Sequence, residues 1–125
     1  MKILIIDDDA DIRSIARLTL SRVGGMDVIE AASGLEGVRK AQEEKPDVIL
    51  LDMMMPTMDG LETLAALRSQ PATAMTPVIF LTAKAVKDEV ERMTALGAAG
   101  VLIKPFDPRT LSGDVRALLK RPLDR

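Results

Sequence analysis

The chain has no cysteine, histidine, tryptophan or tyrosine. Without cysteine there is neither a disulfide framework nor thiolate chemistry. Without histidine the usual general base and the commonest metal ligand are both missing. Phe80 and Phe106 are the only aromatic residues, so the core must be aliphatic. No segment approaches the roughly 20 apolar residues of a membrane span. In the opening "MKILIIDDD" the apolar run is too short for a signal peptide, and acid follows it at once. The expectation is a soluble, cytoplasmic chain with no membrane insertion. Charge of one sign is also lacking: 17 Lys and Arg are scattered among 19 Asp and Glu, a net charge of −2. Phosphate contacts need clustered cations, so no direct nucleic-acid partner is expected. Any chemistry must come from carboxylates, hydroxyls, lysines and backbone.

What is present suits a globular fold. The 125 residues, 47% hydrophobic and 29% charged, are enough for one domain with a real core, and 1–125 reads as a single unit. Five short runs of mostly branched aliphatics recur, at Ile3–Ile6, Val28–Ala31, Val48–Leu51, Val78–Leu81 and Val101–Ile103. They suit strands buried on both faces. Between them the spacing turns helical, as in Ile12, Ile15, Ala16, Thr19 and Val23, in Leu61, Leu64 and Ala65, and in Leu111, Val115 and Leu118. Ser33 with Glu36 and Asp59 with Glu62 match the capping box. Gly97 predicts a helix C-terminus, and Asp107 followed by Pro108 predicts a helix start. The alternation of strand and helix, five times over, predicts an α/β fold with parallel strands and right-handed crossovers. Ser69–Pro77 reads as a surface loop. Lys120–Arg125 reads either as a tail or as the start of a linker.

In "VILLDMMMPTMDG" Asp52 follows four apolar residues with no polar spacer. Burying an unpaired carboxylate costs several kcal/mol, on the order of the effective ion penalty in protein interiors, so Asp52 needs either a partner or a reactive mouth. Sheets of this type bind ligands beyond the carboxyl ends of their strands. After the first strand come Asp7, Asp8 and Asp9, after the third Asp52, after the fourth Thr82, and at the end of the fifth Lys104. If the first and third strands are neighbours, Asp7, Asp8 and Asp52 meet. Three such carboxylates repel unless a cation joins them, and hard oxygen ligands suit Mg²⁺. Asp52 then reads as a nucleophile of the aspartyl-phosphate type, with Thr82 and Lys104 facing the phosphoryl oxygens. Asp9 or Asp11 reads instead as a helix N-cap.

With "ILIIDDD", "VILLDMMMPTMDG", "VIFLTA" and "GAAGVLIKPF" in this order, the chain resembles the receiver domain of two-component response regulators. The likeness covers essentially its whole length, with the extent of a single-domain chemotaxis member. The resemblance implies a flavodoxin-like (βα)5 fold with a five-stranded parallel sheet in the order 2-1-3-4-5. It implies Asp52 as phosphoacceptor, Asp8 as direct Mg²⁺ ligand, Asp7 acting mainly through water, and Met54 offering its backbone carbonyl. It implies Thr82 as switch hydroxyl, Lys104 as phosphoryl contact and a cis Lys104–Pro105 bond. A histidine kinase or histidine phosphotransfer protein would be the donor. A downstream protein target would read the face of helix 4, strand 5 and helix 5.

Val101 stands where many members carry Tyr or Phe, and a valine cannot make their inward ring swing. Met54 and Lys84, at positions that tune phosphoryl lifetime in the family, offer no carboxylate or amide to orient a water. Met53, Met54, Met55 and Met58 read either as loop packing or as a soft partner-binding rim. A Mg²⁺-dependent phosphatase with an aspartyl nucleophile is the alternative. Such enzymes of the haloacid-dehalogenase kind place a second Asp where Met54 stands. An interaction module with a decayed site is disfavoured by the intact set Asp7, Asp8, Asp52, Thr82 and Lys104.

Overall fold

A computed structural model describes residues 1–120; 121–125, most of the segment read as tail or linker, lie outside the described residues. Strands and helices alternate as β1 (Lys2–Ile6), α1 (Ala10–Arg22), β2 (Asp27–Ala31), α2 (Gly34–Glu44), β3 (Val48–Asp52), α3 (Gly60–Arg68), β4 (Val78–Thr82), α4 (Lys87–Ala95), β5 (Gly100–Ile103) and α5 (Leu111–Lys120). All four pairings are parallel, and the order across the sheet is β2-β1-β3-β4-β5. The five apolar runs thus became the five strands, each within a residue of its expected start and end.

Strand alternation divides the core in two. Leu4, Ile6, Ile49, Leu51 and Phe80 pack with Ala41, Leu64, Leu67 and Met93, beneath α2, α3 and α4. Ile3, Ile5, Leu50, Ile79 and Leu81 pack with Ala16, Leu20, Leu111 and Val115, beneath α1 and α5. The sheet lies between two helical layers. Its central strands β3 and β4 are buried at every position, which is why their sequences show no polar alternation.

Local chemistry sets most helix ends as expected. Asp9, rather than Asp11, caps α1, its carboxylate accepting the amides of Asp11 and Ile12. Asp59 and Glu62 form the reciprocal box at α3. Ser33 accepts the Glu36 amide, but the Glu36 carboxylate reaches back to Ala32 instead of Ser33, one residue beyond the box. Gly97 follows the end of α4 with φ +81, a conformation only glycine adopts freely.

The helical spacing of α1 holds but packing selects its face, and the start of α5 needs correction. In α1 the buried face is Ala16, Thr19 and Leu20, whereas Ile15 and Val23 are exposed. Small Ala16 lets the helix lie close to the sheet, with Leu20 one turn on. That rotates the apolar Ile15, Leu18 and Val23 to the solvent flank, and nothing forbids apolar side chains there. At the other end, α5 begins at Leu111, not Pro108. The Asp107 carbonyl accepts from both Thr110 and Leu111, so Pro108–Thr110 form a tight turn leading into the helix. The loop after α3 is tighter than a plain surface excursion: Thr73 is buried and donates its hydroxyl hydrogen to the Leu67 carbonyl at 2.6 Å.

Candidate functional site

At the carboxyl edge of the sheet β1 and β3 are neighbours, in the register Ile6↔Leu51. Asp7 and Asp52 therefore leave the sheet side by side. Carboxylate oxygens of Asp7, Asp8 and Asp52 lie within 4.8 Å of one another. Asp7 and Asp52 are buried, and Asp8 is exposed at the mouth. From the far end of the chain Lys104 reaches in and donates to Asp7 Oδ2 at 2.9 Å and to Asp52 Oδ1 at 3.0 Å. The Lys104–Pro105 peptide that follows β5 is cis.

Burial pushes the Asp52 carboxyl up to about 6; the Lys104 hydrogen bond opposes the rise, and the charge of Asp7 adds to it. Burial also works against the charged form of Lys104, but hydrogen bonds to Asp7 and Asp52 outweigh it and the ammonium is held above its usual range. Three carboxylates facing one ammonium leave a deficit of two positive charges. A hard divalent cation suits that deficit and that donor set. The residues fit Mg²⁺.

The backbone around Asp52 is closely fitted. A Cβ on Gly60 would stand 2.6 Å from the Asp52 carbonyl oxygen, so the start of α3 can approach β3 only because residue 60 has no side chain. The Gly60 amide donates to the Met53 carbonyl at 2.9 Å. Between them the loop turns tightly, with Met58 N–H on the Pro56 carbonyl at 2.7 Å and Thr57 at φ +70. The methionines divide: Met53 and Met55 enter the core, while Met54 is 69% exposed. Loop packing thus accounts for Met53 and Met55, and Met54 is left on the surface.

The structure brings Asp7, Asp8, Asp52 and Lys104 together. Thr82 ends β4 next to Asp52's strand, yet its hydroxyl is engaged in its own turn, donating to the Lys84 carbonyl at 3.0 Å and accepting the Lys84 amide at 3.3 Å. Val101 packs, half-buried, against the α2–α4 side of the core. Sequence reasoning passed over Arg13. Its guanidinium donates to the Asp7 carbonyl at 2.7 Å and to Glu30 Oε1 at 3.2 Å. The available signal was an arginine one turn into the helix that follows the acids.

The family described as response regulator receiver domain matches residues 3–116. The alkaline phosphatase synthesis transcriptional regulatory protein PhoP of Bacillus subtilis is 42% identical over 120 residues, 96% of this chain and 49% of that protein. The transcriptional regulatory protein ResD of Bacillus subtilis is 41% identical over 122 residues, 96% of this chain and 48% of that one. The chain thus spans about half the length of these relatives. Chemotaxis protein CheY4 of Vibrio cholerae is similar in structure, with TM-score 0.88, 38% identity, and coverage of 94% of this chain and 97% of that one. Nothing among these similarities favours an aspartyl phosphatase. An acidic, lysine-bridged edge on a 2-1-3-4-5 sheet, matched in sequence over nearly its whole length, makes this chain a member of the response regulator receiver domain family, the phosphoacceptor component of two-component signalling.

Proposed function

We propose that Asp52 is the phosphoacceptor, and that Asp8 directly, Asp7 through water, Asp52 and the Met54 backbone carbonyl hold Mg²⁺. The observation that carries the reading is the Lys104 ammonium lodged between Asp7 and Asp52. A carboxylate oxygen of Asp52 attacks the phosphorus of a phosphohistidine on a histidine kinase or phosphotransfer protein. The new O–P bond forms as the P–N bond breaks, and the imidazole nitrogen leaves with the electron pair. Bound Mg²⁺ supplies charge neutralisation for the phosphoryl oxygens. Lys104 moves from bridging two carboxylates to meeting the arriving oxygens, and the Thr82 hydroxyl leaves its Lys84 turn to do the same. Catalysis is confined to the domain's own phosphorylation and slow dephosphorylation. Residues 1–125 act as one cytoplasmic receiver unit. The face of α4, β5 and α5 meets a downstream protein, with no nucleic-acid contact by this domain.

Acetyl phosphate with Mg²⁺ should label wild type once and leave Asp52→Asn unlabelled by mass spectrometry. Equal labelling of both proteins would remove Asp52 from the role. Val101 offers no aromatic swing, so the movement of Thr82 is the remaining readout. Thr82→Ala should lose most of the beryllofluoride-induced amide shifts in 83–95, while Val101→Tyr keeps them. A full response in Thr82→Ala would place the switch elsewhere.

A further inference from the structure

Asp7 is fixed from three sides: its Oδ2 by Lys104, its Oδ1 by the Asp9 amide at 2.9 Å, and its carbonyl by Arg13 at 2.7 Å. Only the last of these acts on the peptide that joins Asp7 to Asp8. Asp8 is exposed, so the peptide that carries it decides where its Cα–Cβ bond points and hence which space its carboxylate can reach. Arg13 is itself held. Its Nε donates to Glu30 Oε1 at 3.2 Å, while Arg17 occupies Glu30 Oε2 at 2.8 Å. These hydrogen bonds, the Arg17 bond foremost, keep Glu30 below the usual carboxylate range, so it stays charged. Glu30 belongs to β2, which pairs with β1 in the register Ile5↔Glu30, and the Lys40 ammonium donates to the Glu30 carbonyl at 2.6 Å. The brace for the acid pair is anchored in the sheet and in two helices.

We propose that Arg13 is a positioning residue for the metal site: it holds the Asp7–Asp8 peptide so that Asp8 points into the cation's place, with Glu30 holding Arg13. This rests on the reading that Asp7, Asp8 and Asp52 bind Mg²⁺. The planar guanidinium matters because it reaches carbonyl and carboxylate from two separate nitrogens, Nη1 and Nε, held at a fixed angle, whereas an ammonium makes every bond from one nitrogen on a flexible stem. Partners of metal ligands commonly set affinity through such orientation.

Charge and positioning predict opposite signs. Removing a cation a few residues from the acids lowers repulsion and should tighten Mg²⁺; losing the brace should weaken it. Arg17 supplies the control, since it pairs with the same Glu30 and has no bond to Asp7. In Mg²⁺ titrations followed by amide shifts, Arg13→Ala should raise Kd about ten-fold. Arg17→Ala should hold Kd at or below the wild-type value. Arg13→Lys, which keeps the charge but not the fork, should fall between wild type and Arg13→Ala, and it decides the matter if Arg13→Ala does not fold. At saturating Mg²⁺ the maximal rate of labelling by acetyl phosphate should recover in Arg13→Ala, as a positioning role requires. A Kd for the Arg13 variants equal to or below wild type, or a loss equal in Arg17→Ala, would overturn the proposal. Wild type that binds no Mg²⁺ would overturn the metal reading itself, a separate result.

Discussion

Asp52 sits where neither of its charge states is free of cost. Ionised, it is buried beside another acid; protonated, it forfeits the Lys104 ion pair. Its carboxyl titrates near 6 in the folded protein against 3.8 in the unfolded chain, so the folded state holds this proton more tightly. Stability from this group is complete below about pH 4 and drains away as pH rises through about 6. Metal-free wild type should therefore lose about 1–3 kcal/mol relative to Asp52→Asn between pH 4 and 7, at 1.36 kcal/mol per unit discounted for residual solvent. Urea melts at the two pH values measure the difference, and a difference that stays flat would contradict the assignment. Mg²⁺ should return much of the loss to wild type and little to Asp52→Asn. Thr57 is a second residue under constraint: a β-branched side chain at φ +70. Thr57→Gly should raise stability by about 0.5–1 kcal/mol, the relief of strain being partly offset by glycine's greater freedom when unfolded. A melt no better than wild type would mean the loop already absorbs the strain.

Among the helices α4 is the least firmly held. Its N-cap, Val86, offers no side-chain hydrogen bond, and Met93 is its one buried residue. Its C-terminal end is gripped by Arg68, which donates to the carbonyls of Leu96 and Gly97 and also to Thr73 and Thr76 in the preceding loop. Arg68→Ala should cost about 1–2 kcal/mol, the scale of hydrogen bonds to a charged group, with most of the freed carbonyls only partly buried. Hydrogen exchange should rise more in 87–96 than in α2. Equal protection in both helices would mean that Met93 alone anchors α4. Arg68 could not be read from sequence, because its partners are backbone carbonyls, which no residue type betrays. The N-caps Asp9, Ser33 and Asp59 were legible because capping is a matter of a few adjacent residues. The face of α1 was not: Ile15 and Ala16 both fit a helical stripe, and the packing of α1 on sheet and α5 chose Ala16. Nor was the start of α5, where a turn and a helix share the same Asp-Pro signal.

For the whole molecule, strand positions were legible because burial on both faces leaves uninterrupted aliphatic runs, in Val48–Leu51 as in Val78–Leu81. The order of the strands was not in those runs; it came with the likeness to receivers, and the pairing of β1 with β3 agrees with it. The acids of the site were legible for the same reason, since they stand at or just past the carboxyl ends of β1 and β3. The Thr82 hydroxyl's local turn and the Arg13 brace were not, since both depend on where side chains point. The core is built from strands brought together over long stretches of chain, a topology that folds slowly relative to helical bundles. A fragment of residues 1–99, lacking β5, α5 and Lys104, should take no label from acetyl phosphate. Labelling of that fragment at the intact rate would show that Lys104 is dispensable.

Lys104 lies 97 residues from Asp7 and 52 from Asp52, and it touches both. On a ribosome, chain emerges at roughly 5–20 residues per second, N-terminal part first. The acids are therefore made seconds before the ammonium that balances them. Until Lys104 arrives, the nascent domain can gather its aspartates but not pair them. The ion pair thus acts as a seal of completion: a chain stalled before β5 has its buried aspartates but not the ammonium that balances them.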